Sequence, residues 1–466
     1  MYFIFKHFKK SITFVAKLIN KLKEFDIMSK IKLAVNIFWY RRDLRIEDNV
    51  GLFHALNSDL NVLPLFIFDT NILSKIDDKS DKRVNLIRII LLNLQVEFAK
   101  NGSTLLVKYG NPVEVFDELT KDYDVNAVFT NRDYEPYALA RDKEVENLLD
   151  SKNIRFKTFK DQVIFEWNEV LKSDGSPYTI FTPYSKIWKQ KISPKNYHNY
   201  LSESFLSHTI KCENIEIPEL KEIGFIKNEL PFTKAVIDLN IIKNYGDTRN
   251  FPSVVGTSDL SVHLRFGTIS IRKLVSIAIK TNEIWLNELI WREFFMAILM
   301  HFPYVENGAF KKKYDQIPWL IDENGFKLWC EGKTGYPIVD AGMRQLNATG
   351  LMHNRVRMIV ASFLTKDLLI DWRWGEAYFA QKLLDYDLSA NNGNWQWAAG
   401  CGCDAAPYFR IFNPAEQTKR YDPELKYINK WVDDLNSFDY PKPIVEHTFA
   451  RDRALKTYKL ALNDIN

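Results

Sequence analysis

Along the first third of the chain, short apolar runs alternate with stretches of helical period. Leu33–Tyr40 and Asn61–Phe68 have the length and composition of buried strands. Asp81 is placed to cap a helix whose apolar positions Val84, Ile87, Ile90, Leu91 and Leu94 recur at helical steps, with Gly102 as its stop. Thr104–Tyr109 reads as a strand, Pro112–Leu119 as a helix, Val125–Thr130 as a strand, Pro136–Leu149 as a helix and Arg155–Phe159 as a further strand. This alternation predicts an α/β domain, a doubly wound, Rossmann-like parallel sheet, over residues 31–164. Residues 165–240, rich in Lys, Ser and Pro, lose the pattern and are expected to form an irregular connector. From Ile241 the period turns helical, with helices expected over 266–280, 284–301, 338–349, 351–365 and 373–386. Residues 241–466 are therefore expected to be an all-α domain.

Composition narrows the class. The 466 residues give room for two or three domains, and 46% hydrophobic content supplies their cores. A net charge of +4 does not by itself mark a nucleic-acid binder, but it leaves room for a local basic face. The four cysteines, Cys212, Cys330, Cys401 and Cys403, are too few for a disulfide framework and fit a reducing compartment. Residues 1–30 stand apart as a basic extension, in which Phe3, Phe5, Phe8, Ile12, Val15, Leu18 and Leu22 alternate with lysines through residue 27. Its apolar runs are too short to span a bilayer, and no small-residue cleavage site follows. It reads as a membrane-surface helix or, preferably, as sequence upstream of a true start at Met28.

Several signatures are absent or incomplete. No Gly-x-Gly-x-x-Gly follows the first strand, so the α/β domain is not expected to hold a dinucleotide in the Rossmann manner. Glu331-Gly332-Lys333-Thr334 imitates the end of a P-loop, but Lys327 stands where its first glycine is required. Gly400–Ala405 fits Gly-x-Gly-x-x-Ala with no strand before it, and Cys401-x-Cys403 lacks the second pair or nearby histidine of a metal site.

The candidate chemistry gathers late in the chain. Between Trp372 and Pro414, Trp372, Trp374, Trp395 and Trp397 stand beside Asp385, Asp387, Asn391, Asn392 and Arg410. Indoles usually fill a core, whereas buried carboxylates and amides need partners. A flat, polar aromatic ligand would meet both needs, and on composition alone ligand site and ordinary core stand level. Upstream, Trp285, Glu288 and Arg292 share one helix face, and Trp291 and Phe295 another. Asn354, Arg357, Met358 and Ala361 also fall on one face. Thr257-Ser258-Asp259-Leu260-Ser261, after Tyr245, Asp247 and Arg249, is a hydroxyl-rich turn suited to a phosphate or simply to capping a helix. Trp39–Arg45 sets three arginines at a strand end, and alone reads as structural.

From Asn391 to Pro414 the chain resembles, almost residue by residue, the FAD-binding signature of the DNA photolyase/cryptochrome family, specifically class I cyclobutane pyrimidine dimer (CPD) photolyases. The resemblance extends over Leu33 to about Val432 and implies that the helical domain binds FAD and DNA. It implies that Tyr245, Thr257, Ser258, Asp259, Leu260 and Ser261 hold the phosphates and ribityl chain, with Asp259, an arginine in many relatives, facing solvent. Trp285, Arg292, Asn354, Arg357, Asp385, Tyr386, Asp387 and Asn391 would line the cofactor, Arg357 pairing with Asp385 and Asn391 facing flavin N5. Tyr386 departs from the small residue usual between the two aspartates. Glu288 would bond the lesion as well as border the cofactor, and Trp395, Trp372 and Trp319 would relay electrons that reduce the flavin. Arg249, Trp291, Arg355, Met358, Trp397, Arg410, Gln417 and Arg420 would meet lesion or DNA backbone. A (6-4) enzyme would be expected to carry histidine in place of Asn354.

The implied activity is blue-light-driven splitting of a flipped-out CPD by reduced FAD (FADH⁻), with no net redox change. The implied partner is UV-damaged DNA, single- or double-stranded. A cytoplasmic monomer without membrane attachment is expected. Glu135-Pro136-Tyr137 is similar to deazaflavin-type members, and Ala138 replaces a glutamate of folate-type ones, so the antenna stays open among folate, deazaflavin and a second flavin. Two other readings are a cryptochrome-like photoreceptor signalling through a protein partner and a flavoprotein that binds single strands without repair. Glu288, Met358 and Asn391 speak against the last.

Overall fold

A computed structural model of the protein describes residues 32–228 and 234–463; the basic extension at 1–30 lies outside them. Strands β1 (Ala34–Tyr40), β2 (Val62–Asp69), β3 (Leu106–Gly110), β4 (Asp124–Asn131) and β5 (Arg155–Phe159) form one parallel sheet in the order β3-β2-β1-β4-β5. β1 and β2 are apolar throughout because both faces are covered, as parallel sheets require. Side chains alternate between two cores. Phe38 and Tyr40 pack with α1 (Val50–Leu56) and α2 (Lys82–Ala99). Ile37 and Trp39 face the other way, onto α3 (Pro112–Asp122) and α4 (Pro136–Ser151). Asp81 caps α2, accepting from the Arg83 N–H. The pattern gave no signal for α1, which is only two turns long.

The connector is less irregular than its composition suggests. It contains α5 (Phe181–Lys191), which buries Tyr184 and Trp188, an i,i+4 pair hidden in the sequence among lysines and Pro183. The helical half comprises α6 (Ile271–Thr281), α7 (Glu283–His301), α8 (Pro337–Thr349), α9 (Asn354–Ser362), α10 (Trp372–Lys382), α11 (Leu388–Ala399), α12 (Pro414–Tyr421) and α13 (His447–Asn463), together with a helix at Glu323–Glu331 that carries Trp329 and with shorter turns.

Three expected helix boundaries are corrected. The helix expected at 266–280 is split: Ser261–Phe266 stops at Gly267 (φ +65°), and α6 starts at Ile271. The helix expected at 351–365 begins only at Asn354, with the His353 ring as its cap, and loosens into a π-turn at Phe363–Asp367. The helix expected at 373–386 ends at Lys382, so Leu383–Asp387 is a crossing loop.

α10 and α11 approach closely at Gly375, where a Cβ would run into the Trp395 indole and Leu364. At the domain joint Asp161, buried, accepts from Arg45 at 2.7 Å and from Arg272 of α6 at 2.9 Å. No helix among the described residues is long and apolar enough to cross a membrane.

Candidate functional site

α9, α10 and α11 enclose a cleft of about 610 Å³, part of it open to solvent. Its walls are Asn354, Arg357, Met358 and Ala361 from α9; Phe379, Leu383, Asp385, Tyr386 and Asp387 from the end of α10 and the crossing loop; and Ala390, Asn391, Asn394, Trp395, Trp397 and Ala398 from α11. The face expected on α9 therefore does point into one space, because steps of three and four stack on a helix. Ending α10 at Lys382 lets the loop turn Asp385 towards Arg357.

The Arg357 guanidinium donates to Asp385 Oδ2 at 2.8 Å and to the Met352 carbonyl at 2.8 Å. Asp385 Oδ1 is buried and has no protein partner, so the wall offers an acceptor with nothing to accept from. Asn391 donates through Nδ2 to Glu376 Oε1 at 2.8 Å and to the Glu376 carbonyl at 3.1 Å, which fixes its amide on the cleft wall. Burial raises the Glu376 carboxyl above its ordinary value, opposed by the bond from Asn391. Glu376 is a site residue that sequence reading missed; its place one helix over from Asn391 has no sequence signal.

Asp387 accepts from the Ala390 N–H and so caps α11, while Arg42 of the α/β layer takes its other oxygen. Burial works against its charge, but Arg42, Arg265 and Arg292 outweigh it, and the carboxyl lies well below the usual range. Thus the Trp39–Arg45 run, read as structural, also reaches the cleft wall.

The remaining expected residues lie outside the walls of this cleft. Tyr245 sits under the Arg249 guanidinium at 5.4 Å, and Arg249 pairs with Glu288. Burial lifts the Glu288 carboxyl, against the pull of Arg249. Thr257 donates to Asp259 Oδ1 at 2.9 Å; Asp259 is exposed with φ +51°, Leu260 is buried, Ser258 is half-buried and Ser261 exposed. Trp285 is buried, and Arg292 donates to the Gln162 carbonyl at 2.6 Å. Trp291 stacks on Phe181 of the connector at 3.8 Å, a partner the sequence did not suggest. Arg355 lies over the Tyr421 ring at 4.3 Å and donates to Asn250 at 2.6 Å. Arg420 stands over the same ring at 5.3 Å; Arg410 is exposed and Gln417 partly so. His353 is pushed down to about 4 by burial and the neighbouring arginines, so its ring is a neutral cap.

The tryptophans differ in setting. Trp395 is buried against Phe379 at 5.0 Å and Trp329 at 6.1 Å, and Trp372 is buried beneath Arg373. Trp319 is half-buried, edge-on to Tyr458 at 5.8 Å, with no partner for its indole N–H. In the α/β layer, Tyr137 donates to Asp69 at 2.7 Å and Glu135 pairs with Arg42 and Arg265.

A helical domain with a polar cleft, walled by an open carboxylate, an arginine, a fixed amide and indoles, defines a binder of a flat polar cofactor. Residues 285–439 match the family model for the FAD binding domain of DNA photolyase, and residues 36–200 match that for DNA photolyase. The deoxyribodipyrimidine photo-lyase of Synechococcus sp. is 37% identical, over 92% of this chain and 96% of its own. Among solved structures, a bacterial class III photolyase from Agrobacterium tumefaciens superposes with a TM-score of 0.84 at 31% identity, covering 93% of this chain and 99% of its own. An archaeal photolyase from Sulfolobus tokodaii, solved with two FAD molecules, gives 0.77 at 33% identity, covering 92% and 100%. The chain belongs to the DNA photolyase/cryptochrome family. It is an enzyme, a lyase of the DNA-repair branch, and its cofactor is FAD. The cleft fits that cofactor: the orphaned Asp385 oxygen and the fixed Asn391 amide are the hydrogen-bonding groups an isoalloxazine edge requires.

Proposed function

We propose that this chain repairs cyclobutane pyrimidine dimers in UV-damaged DNA, and that the α9–α11 cleft is where its cofactor meets the lesion. Bound in reduced form, FAD supplies the light-excited electron that opens the cyclobutane ring and then recovers it. The chain's residues bind, orient and shield. Arg357 and Asp385 hold the isoalloxazine edge, and Asn391, oriented by Glu376, presents its amide to N5. Tyr245 and Thr257–Ser261 take the phosphates and ribityl chain, with Trp285, Arg292 and Tyr386 around them. Glu288 bonds the flipped dimer, Met358, Trp291 and Trp397 pack on it, and Arg249, Arg355, Arg410, Gln417 and Arg420 meet the DNA backbone. Trp395, Trp372 and Trp319 carry electrons inward during photoreduction.

The observation that carries this reading is the meeting of Arg357, Asp385, Asn391, Met358 and Trp397 around one cleft, from α9, α11 and the loop that crosses between α10 and α11. Asn354, where a (6-4) enzyme would need histidine, favours the CPD class. Contact through arginines makes binding salt-sensitive. Extruding the dimer costs a few kcal/mol, less than for an intact pair. We place antenna binding in 31–164, with a folate, deazaflavin or second flavin near Glu135–Ala138, the connector in 165–240, and FAD and DNA binding in 241–466. The protein acts as a cytoplasmic monomer on single- or double-stranded DNA.

The test is binding in the dark to three oligonucleotides, one carrying a thymine dimer, one a (6-4) product and one undamaged. Preference for the thymine dimer is expected. Equal affinity for all three would contradict the reading and favour a photoreceptor or a simple strand binder.

A further inference from the structure

Arg42 belongs to the α/β layer, yet its guanidinium reaches across the domain joint. It takes Glu135 at 2.6 Å and Asp133 at 3.3 Å on one nitrogen and Asp387 on the other. Its backbone has little freedom, because the Arg42 carbonyl is seated against Gly267, where any Cβ would collide. The neighbouring Leu44 N–H donates to the Phe266 carbonyl at 3.0 Å. Arg265, four residues after Ser261, meets the same Glu135 at 3.0 Å and stands 3.8 Å from Asp387.

Asp387 is therefore held from two sides. Its second oxygen accepts from the Ala390 N–H at 3.1 Å and from the Ser389 hydroxyl at 2.5 Å, and so begins α11. One turn on, α11 presents Asn391 to the cleft. Asp387 is 9% exposed, so without Arg42 its carboxylate would stay buried with no paired guanidinium, balanced only through space by the more distant Arg265 and Arg292.

We propose that Arg42 is a positioning residue of the FAD cleft: anchored by Asp133 and Glu135, it fixes the Asp387 carboxylate and, through it, the start of the helix that presents Asn391. The α/β layer is thereby part of the flavin site, although it lends the cleft no wall. Lysine cannot replace the fork, because a single ammonium does not span Glu135 and Asp387 as two guanidinium nitrogens do. This inference rests on FAD occupying the cleft.

The full-length protein is compared with Arg42→Gln, Arg42→Lys, Asp387→Asn and the Arg42→Gln/Asp387→Asn pair. FAD affinity is read from quenching of flavin fluorescence, flavin seating from the vibronic structure of its blue absorption band, and folding from circular dichroism. Arg42→Gln is expected to weaken FAD binding roughly tenfold or more, the scale for losing a partner behind a direct ligand, and to blur the band. Arg42→Lys should fall between, and the pair should bind no more weakly than Asp387→Asn alone, since both changes break one link. A folded Arg42→Gln with unchanged affinity and band shape, or a pair that loses the sum of its two parts, overturns the assignment. Should Arg42→Gln fail to fold, Arg42→Lys decides: weaker binding with an altered band supports the assignment, and native behaviour overturns it. A native protein that takes up no FAD would instead overturn the cofactor reading beneath it.

Discussion

Glu288 carries the sharpest residue-scale consequence of the proposed site. In that proposal it bonds the lesion and is paired with Arg249, so its loss should remove the lesion contact while the walls of the cleft stay in place. Glu288→Ala is expected to retain FAD and lose roughly tenfold or more in repair under limiting light, on the scale of one lost charge-assisted hydrogen bond. Loss of FAD in that variant, seen in its absorption spectrum, would move Glu288 to cofactor duty. In the proposed relay Trp319 is the least buried of the three tryptophans, and its indole N–H has no protein partner. Trp319→Phe should slow flavin photoreduction by an added donor and spare repair by chemically reduced protein; unchanged photoreduction would remove it from the path. Much of this was legible in the sequence, since the i, i+3, i+4 spacing of Asn354, Arg357 and Met358 alone sets them on one face. Glu376, Phe181 and the reach of Arg42 to Asp387 were not legible, because each is a contact between separate elements that no local spacing encodes.

At the scale of elements, the strands and α2, α3 and α4 could be read directly because their starts are marked locally, by the Asp81 and Asn111 caps on α2 and α3 and by Pro136 at the first turn of α4. The helices around the cleft were misjudged at their ends. The stop at Lys382 is followed by a bond from the Leu384 N–H to the Gly350 carbonyl, and the π-turn after Ser362 packs on α11 and α13, contacts between separate elements. The His353 cap is local, its ring accepting from the Arg355 N–H, but histidine is not a usual cap residue. The π-turn buries Lys366, whose Nζ donates to the last carbonyl of α11, Ala399 O, at 2.8 Å and lies 3.7 Å from the Tyr458 ring centroid of α13. Burial pushes its pKa from 10.5 down to about 7. Between those values the unfolded chain holds a proton that the folded one lacks, so this group makes stability rise with pH and contributes no slope below about 7. Urea unfolding at successive pH values should therefore show the native protein gaining on Lys366→Met between about 7 and 10.5. Parallel curves would mean that Lys366 stays charged in the fold.

At the scale of the whole molecule, the two layers are joined by buried ions rather than by a broad apolar seam alone. Asp161 accepts from Arg45 of the α/β layer and Arg272 of the helical one, and Arg272 also meets Asp48 at 3.1 Å. Removing one member of such a cluster strands the others. Asp161→Ala is expected to cost about 3–5 kcal/mol in chemical unfolding. A loss below about 1 kcal/mol would show that the joint does not depend on this cluster. That joint holds the sheet, the arginine network and the α9–α11 cleft in one register. The account as a whole stands on light-driven repair. Its most direct test is a thymine-dimer oligonucleotide incubated with the FAD-reduced protein, half under blue light and half in the dark. Recovery of thymine absorbance only in the light is predicted. Absence of recovery from protein that holds reduced FAD and binds the oligonucleotide would contradict it.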